Sequence, residues 1–274
     1  WGLPVPCRTT WGLTMEPVKR VFITGDPRGM EASFRNAGME VVDSVSKAGA
    51  VVVAGGDGTI LRTMDRFLED GVPILGINSG HLGFLADCDT GAVDETVSCL
   101  ASGDYLIDML PVLETEGPGG TVVRALNEIS INRCAEGGIL HIQVLVDRRE
   151  VAVMASDGVM VSTPSGSTAY NLSCGGPVLH PNLPVVIITP ICPHLLALRP
   201  IVVPISSMIC FKVLRATGKN PLILADGAAK CGAIAPGETI TVRRSGLSCS
   251  VIRTGRRSDY YEMLGKKLGW GYRG

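Results

Sequence analysis

Val51-Val52-Val53-Ala54-Gly55-Gly56-Asp57-Gly58-Thr59-Ile60-Leu61-Arg62 decides the fold. Four small or β-branched apolar residues read as a strand buried on both faces; two glycines and an aspartate follow, and the apolar spacing then turns helical. In a parallel α/β sheet the ligand crevice lies beyond the carboxyl ends of the strands, which is where this order predicts Asp57. Gly55, Gly56 and Gly58 carry no Cβ, so a bulky anion such as a polyphosphate is able to approach their backbone N–H groups, beside the positive end of the following helix. A carboxylate in a place built for phosphate is repelled by the ligand unless it serves the chemistry, by orienting a hydroxyl and accepting its proton during phosphoryl transfer. The alternative is a glycine turn whose aspartate caps the helix.

Outward from this stretch, strands and helices alternate. Residues 18–24 read as a first strand ending in the Gly25-Asp26-Pro27 turn, followed by a helix near 29–37, a strand near 40–43 and the central strand at 50–54. Apolar residues at 60, 61, 64, 67 and 68 form the stripe of an amphipathic helix, and Pro73 to Ile77 is a further strand. Asn78-Ser79-Gly80-His81-Leu82-Gly83-Phe84-Leu85 is a second glycine-bearing loop at a strand's carboxyl end, and the same crevice argument applies to it. His81 is a candidate acid-base group or a histidine hydrogen-bonded within its loop. With one more helix at 92–101, residues 15–105 read as an α/β domain with a parallel sheet.

The chain has 274 residues, 46% apolar and 19% charged, and is globular rather than disordered. A net charge of −1 supplies no general pull toward nucleic acid or anionic membrane, so neither is expected as a partner and any anion site is local. Nine cysteines are odd in number, scattered and without a Cys-x-x-Cys pair, which favours reduced thiols in the cytoplasm over disulfides or structural zinc. No metal site is expected; Cys192 and His194 flank Pro193 without a second pair. No window is long and apolar enough to span a membrane. Residues 1–14, where Trp1-Gly2-Leu3 recurs as Trp11-Gly12-Leu13, read as a leader outside the fold, with Met15 just before the first strand.

From residue 106 the pattern changes. Strand-like runs follow at 107–115, 121–132, 139–146, 150–154, 158–162, 185–189, 201–204, 208–214, 221–225, 239–244 and 248–253, separated by turn signals. Residues 106–255 therefore read as an all-β domain of antiparallel sheets or a sandwich, and 256–274 as a C-terminal helix returning to the first domain. Within the β domain lies Ser156-Asp157-Gly158-Val159-Met160-Val161-Ser162-Thr163-Pro164-Ser165-Gly166-Ser167-Thr168-Ala169-Tyr170-Asn171-Leu172-Ser173-Cys174-Gly175-Gly176-Pro177. A helix cap needs one hydroxyl, whereas this stretch has five between Ser162 and Thr168; they read as a hydrogen-bonding wall for a polar ligand, with Tyr170 offering a ring.

Gly55 to Thr59 alone resembles motifs of NAD kinases, diacylglycerol and sphingosine kinases and phosphofructokinases. Taken with Asn127-Glu128 and the Thr163 to Pro177 segment, in that order, the chain closely resembles the NAD kinase family, of archaeal or bacterial type. Supporting likenesses are Gly76 to Leu85 and Thr189-Pro190-Ile191-Cys192-Pro193-His194. The lipid kinases share the first motif without the second, and neither an apolar entrance nor a basic membrane-facing patch is visible in this chain. A catalytically silent dinucleotide sensor is the non-enzymatic alternative.

The resemblance implies phosphoryl transfer from ATP or polyphosphate to the 2′-hydroxyl of the adenosine ribose of NAD, giving NADP. It implies Asp57 as the catalytic carboxylate, Gly55, Gly56 and Thr59 in the phosphate-donor loop, and Gly58, Arg62 and Phe84 at the substrate. Asn127 and Glu128 are implied to hold ribose and adenine, Thr168, Ala169, Tyr170, Asn171, Leu172 and Ser173 to contact the adenine and dinucleotide backbone, and Asp157 to lie toward the nicotinamide. A divalent cation, Mg²⁺ above all, arrives with the nucleotide; no tightly bound prosthetic group is expected, and family likeness points to a homodimer or homotetramer. Two departures bear on the nicotinamide side: Ala228 stands after Asp226-Gly227 where the family often carries Gln, and Ala155 stands where many bacterial members have Arg.

Overall fold

The computed structural model describes residues 15–27, 29–78, 80, 83–254 and 260–269; the leader expected at 1–14 lies outside them. By internal contacts the chain divides into two units, the first running to Leu110 and resuming at Cys249, the second spanning Pro111–Ser248.

The first unit begins with β1 (Arg20–Gly25), α1 (Glu31–Asn36), β2 (Glu40–Val41), β3 (Ala50–Ala54) and α2 (Asp57–Phe67), followed by β4 (Ile74–Asn78), β5 (Cys88–Asp89) and α3 (Val93–Ser102). The pairings among β1 to β5 are all parallel. β1 pairs with β2 and β3, and β3 pairs with β4 over Val51↔Ile74 to Ala54↔Ile77. Every residue of β3 and β4 is buried, which is why both read as unbroken apolar runs rather than as alternation. On α2 the side chains of Ile60, Thr63 and Met64 are buried at helical spacing. Burying a side chain such as Ile60 or Met64, each fully covered, contributes ~2 kcal/mol.

The second unit follows with β6 (Leu106–Glu116), β7 (Val122–Ala125), β8 (Glu128–Asn132), β9 (Gly137–Val146), β10 (Arg149–Ser156), β11 (Gly158–Ser162), α4 (Tyr170–Ser173), β12 (Val185–Ile191), β13 (Ile201–Pro204), β14 (Ile209–Gly218), β15 (Leu222–Ala225), β16 (Ala228–Ala233) and β17 (Thr239–Arg253). The boundaries between the units fall inside β6 and β17. One antiparallel sheet has the order β13-β12-β11-β8-β15-β16; β10, β9, β14 and the first part of β17 form a second antiparallel layer. The two share a core in which Ile129, Ile131 and Val161 meet Ile142, Val144 and Phe211, the arrangement of a sandwich. Beyond Ser248, β17 returns to the first unit, where Val251 pairs in parallel with Ile74, and α5 (Tyr260–Leu268) follows. Among the described residues no helix is long and apolar enough to cross a membrane.

Three strand readings change among β6 to β17. The run 121–132 breaks into β7 and β8 because the backbone N–H groups of Leu126 and Asn127, between them, donate to the Asp226 side chain rather than to a neighbouring strand. The runs 239–244 and 248–253 are one strand, β17, which passes through Ser245-Gly246 without a turn. β16 was not expected at all: its Ala-Ala-Lys-Cys-Gly-Ala sequence has little β-propensity, and it pairs because the Asp226-Gly227 turn folds it back on β15.

Candidate active site

In the first unit, Gly56 is the N-cap of α2 and Asp57 its first residue. The capping alternative fails here, because the Asp57 side chain makes no cap. It reaches instead to the loop after β4, where Oδ2 accepts the Phe84 N–H at 2.8 Å and Oδ1 the Leu85 N–H at 3.1 Å. Two loops that each follow the carboxyl end of a buried strand thus meet on one carboxylate. Gly83 makes the approach possible: a Cβ there would lie 1.8 Å from Asp57 Oδ1.

The three glycines of the first loop do different things. Gly56 has open space where a Cβ would be, and a Cβ at Gly58 would meet only Arg62, whereas one at Gly55 would strike Thr59 Cβ at 2.8 Å. The missing side chain at Gly55 therefore serves packing against Thr59, not exposure of an amide. Arg62 is exposed one turn along α2 and donates to Thr59 Oγ1 at 3.2 Å. Phe84 is half-buried. His81 lies outside the described residues.

In the second unit, Asn127 and Glu128 open β8, held by a residue that motif reading did not assign. Asp226 accepts the backbone N–H groups of Leu126 at 3.0 Å, Asn127 at 2.7 Å and Glu128 at 3.3 Å, and its own N–H donates to the Glu128 carbonyl at 3.0 Å. Asp226 and Gly227 both have positive φ, the geometry of a two-residue hairpin turn, and Asp-Gly was the one sequence signal that marked the place. From the other side Thr163 Oγ1 donates to the Leu126 carbonyl at 2.6 Å, and Gly166 comes so near that a Cβ would lie 2.2 Å from the Asn127 carbonyl oxygen.

Glu128 is buried, its Oε2 has no hydrogen-bond partner, and its carboxyl is pushed up to about 7, by burial first and by the charge of Asp226 second. Ser162, its register partner on β11, is also buried with an unpartnered hydroxyl, as is the hydroxyl of Ser165. Three buried polar atoms without partners therefore lie at the end of β8 and β11 and in the loop that follows.

The hydroxyl wall is a partial misreading. Thr163 and Ser167 are fully buried: Thr163 Oγ1 accepts the Gly166 N–H at 3.0 Å besides bonding Leu126, Ser167 donates to the Pro164 carbonyl at 2.6 Å, and Thr168 donates to the Ser165 carbonyl at 3.4 Å. Asn171 is likewise buried, donating to the Ser167 and Pro177 carbonyls and accepting from Thr189 Oγ1 at 2.6 Å. Most of these polar groups build the loop instead of facing outward. Ala169 and Leu172 are half-buried, while Tyr170 and Ser173 are exposed. Although 38% of Tyr170 is exposed, partial desolvation, with smaller contributions from Cys174, Cys192 and Glu128, pushes its hydroxyl up to about 12.

Asp157 stands apart from that group. It precedes Gly158, which pairs with Asn132, whereas Ser162 pairs with Glu128, so roughly 13 Å of strand separates the two ends at ~3.3 Å per residue. Its carboxylate pairs with Arg133 Nε at 2.6 Å. Among the described residues no group of three or more His, Cys, Asp or Glu side chains is placed to hold a metal ion, and the residues present do not form a protein-only cation cage.

A parallel α/β unit with a glycine-flanked carboxylate opening a helix, joined to an antiparallel sandwich with a glycine-rich loop, defines a phosphotransferase of the GGDGT type. The ATP-NAD kinase N-terminal domain matches residues 35–105 and the ATP-NAD kinase C-terminal domain residues 126–254. The chain therefore belongs to the ATP-NAD kinase family. It is 34% identical to NAD kinase 2 of a Synechococcus strain over 89% of this chain and 76% of that protein, and 38% identical to the NAD kinase of Laribacter hongkongensis over 81% and 76%. An NAD kinase from Archaeoglobus fulgidus, solved in complex with ATP, superposes with a TM-score of 0.77 at 26% identity, covering 90% of this chain and 98% of that one. Yeast NADH kinase, solved with NADH, shares the fold at a TM-score of 0.82 and 22% identity, covering 94% and 89%.

Proposed function

We propose that the chain transfers the terminal phosphoryl group of ATP to the 2′-hydroxyl of the adenosine ribose of NAD, giving NADP, and that Asp57 receives the hydroxyl proton. As the new P–O bond forms at the 2′-oxygen, the bond to the leaving ADP breaks and the proton passes to the carboxylate. The observation that carries this reading is the fixing of both Asp57 oxygens by the Phe84 and Leu85 amides, at the first residue of α2. Each oxygen keeps a lone pair for the hydroxyl, and the carboxylate is oriented before substrate arrives. Nearby, Gly56 and Thr59 receive the donor phosphates, Gly55, whose amide bonds the Ile77 carbonyl, shapes that loop, and Gly58, Arg62 and Phe84 border the substrate.

Asn127 and Glu128 take the ribose and adenine. The unpartnered Glu128 Oε2, Ser162 Oγ and Ser165 Oγ support this, since buried polar atoms without partners are costly unless a ligand or ordered water completes them. Thr168, Ala169, Tyr170, Leu172 and Ser173 contact the adenine and dinucleotide backbone, with Tyr170 as the exposed ring and Asn171 bracing the loop from within. Asp157, a strand length away, takes the nicotinamide end, and that separation suits an extended ligand.

A divalent cation bound with the donor phosphates would supply charge neutralisation there, held by the phosphates rather than by a cage of protein carboxylates. Polyphosphate is the alternative donor, the nine scattered cysteines support a cytoplasmic setting, and family likeness supports a homodimer or homotetramer. The test is incubation with Mg-ATP and NAD, NADH, diacylglycerol or fructose 6-phosphate, repeated with polyphosphate as donor. NADP formed from NAD is the expected product; its absence with every donor overturns the proposal.

A further inference from the structure

The segment that holds Asp57 is itself held from behind by the last residues of β17. Gly83 to Asp87 contribute four consecutive peptide groups, each with an assigned partner. The Phe84 and Leu85 amides donate to Asp57 at 2.8 and 3.1 Å, while the Leu85 and Ala86 carbonyls accept from Arg253 Nη1 at 3.0 and 3.4 Å. The Asp87 amide then donates to the Gly76 carbonyl of β4 at 2.8 Å, and the Asp87 carboxylate accepts from Thr254 Oγ1 at 2.6 Å.

Arg253 is 8% exposed, and its Nε donates to Asp108 at 3.1 Å, so the guanidinium is paired and its plane is fixed. Hydrogen bonds from a guanidinium are charge-assisted and among the stronger ones. Its pull on two successive carbonyls sets the planes of the peptides that follow Leu85. The peptide that carries the Leu85 amide adjoins the first of these planes at the Leu85 Cα, so only the φ and ψ of Leu85 stand between the held carbonyl and the direction of that amide, and the Phe84 amide lies one peptide further on.

We propose that Arg253 is a positioning residue for phosphoryl transfer: through the Leu85 and Ala86 carbonyls it aims the Phe84 and Leu85 amides that orient the Asp57 carboxylate. The inference rests on the reading of Asp57 as the acceptor of the hydroxyl proton. Arg253 bonds no reacting atom, and of the groups assigned to NAD and to the donor phosphates only Phe84 lies on the segment it holds.

The test is steady-state kinetics of NADP formation by the purified full chain carrying R253Q, R253K, D108N or D57N, with thermal midpoints recorded for each. R253Q is expected to lower kcat about 10- to 100-fold while the KM for NAD and for ATP stays within about threefold, as misplacement of a reacting group does. R253K, whose ammonium bonds one carbonyl where the guanidinium bonds two, is expected between R253Q and the parent. D108N removes the ion pair but not the carbonyl contacts, and is expected to keep kcat within about threefold. A purely structural Arg253–Asp108 pair would make D108N as damaging as R253Q.

A folded R253Q enzyme with unchanged kcat, or one in which only KM rises, overturns the inference. So does D108N matching the kcat loss of R253Q. If R253Q does not fold, the kcat and KM of R253K decide by the same split. D57N keeping near-parental turnover marks failure of the Asp57 reading itself, whereas inactive D57N beside unaffected R253Q marks failure of this inference alone.

Discussion

Asp226 Oδ1 accepts the backbone N–H of Asn127 at 2.7 Å across 99 residues of sequence. The same carboxylate takes the Leu126 and Glu128 amides, so one side chain in a hairpin turn sets the start of the strand that carries both candidate ribose-binding residues.

Asp226→Asn keeps the volume and tolerates the left-handed backbone, but its amide nitrogen would confront the Leu126 N–H, donor against donor. The expected cost is ~1–3 kcal/mol in stability, together with a raised KM for NAD. Thermal unfolding beside an NAD titration checks it. An unchanged KM would mean that Asp226 serves the hairpin and not the site.

The pH dependence of stability reports on Glu128. Its carboxyl sits at about 7 in the folded chain against an ordinary 4.5. Between those values the folded chain holds a proton that the unfolded chain has released, so stability falls as pH rises through the window, by up to ~1.4 kcal/mol per unit for a single group. Glu128→Gln removes that slope. Melting both proteins from about pH 5 to about pH 7.5 should show the parent losing stability relative to the variant, and parallel curves would contradict the assignment. Asp226→Asn, by removing the neighbouring charge, should move the parent's window to lower pH.

Gly83→Ala tests the approach of the two loops to Asp57. The added methyl would lie 1.8 Å from Oδ1, and either the carboxylate or the Gly83 segment must move. Displacement of about 1 Å at a reacting group costs on the order of 10² in turnover. The variant should lose kcat to that degree and still bind NAD, measured by calorimetry. Normal turnover would show that the loop yields without disturbing the carboxylate.

Local chemistry was legible in the sequence, and long-range chemistry was not. The strand, loop and helix around Asp57 follow from residues that are neighbours in the chain, and the expected helix stripe matches the burial of Ile60 and Met64. What holds Asp57 comes from Phe84 and Leu85, 27 and 28 residues away, and what holds those comes from Arg253, 168 residues from Leu85. Neither periodicity nor spacing registers a backbone amide as a functional group. The hydroxyls of Thr163 and Ser167 were visible but their direction was not, because a serine facing its own loop and one facing a ligand are written alike. β16 escaped for a related reason: its pairing is dictated by the turn before it, not by its own alanines.

The most direct measurement is NADP formation by Asp57→Asn at saturating Mg-ATP and NAD, with NAD binding determined on the same preparation. Turnover is expected to fall by roughly 10² to 10⁴ with NAD binding largely intact. Turnover near that of the parent enzyme would contradict it.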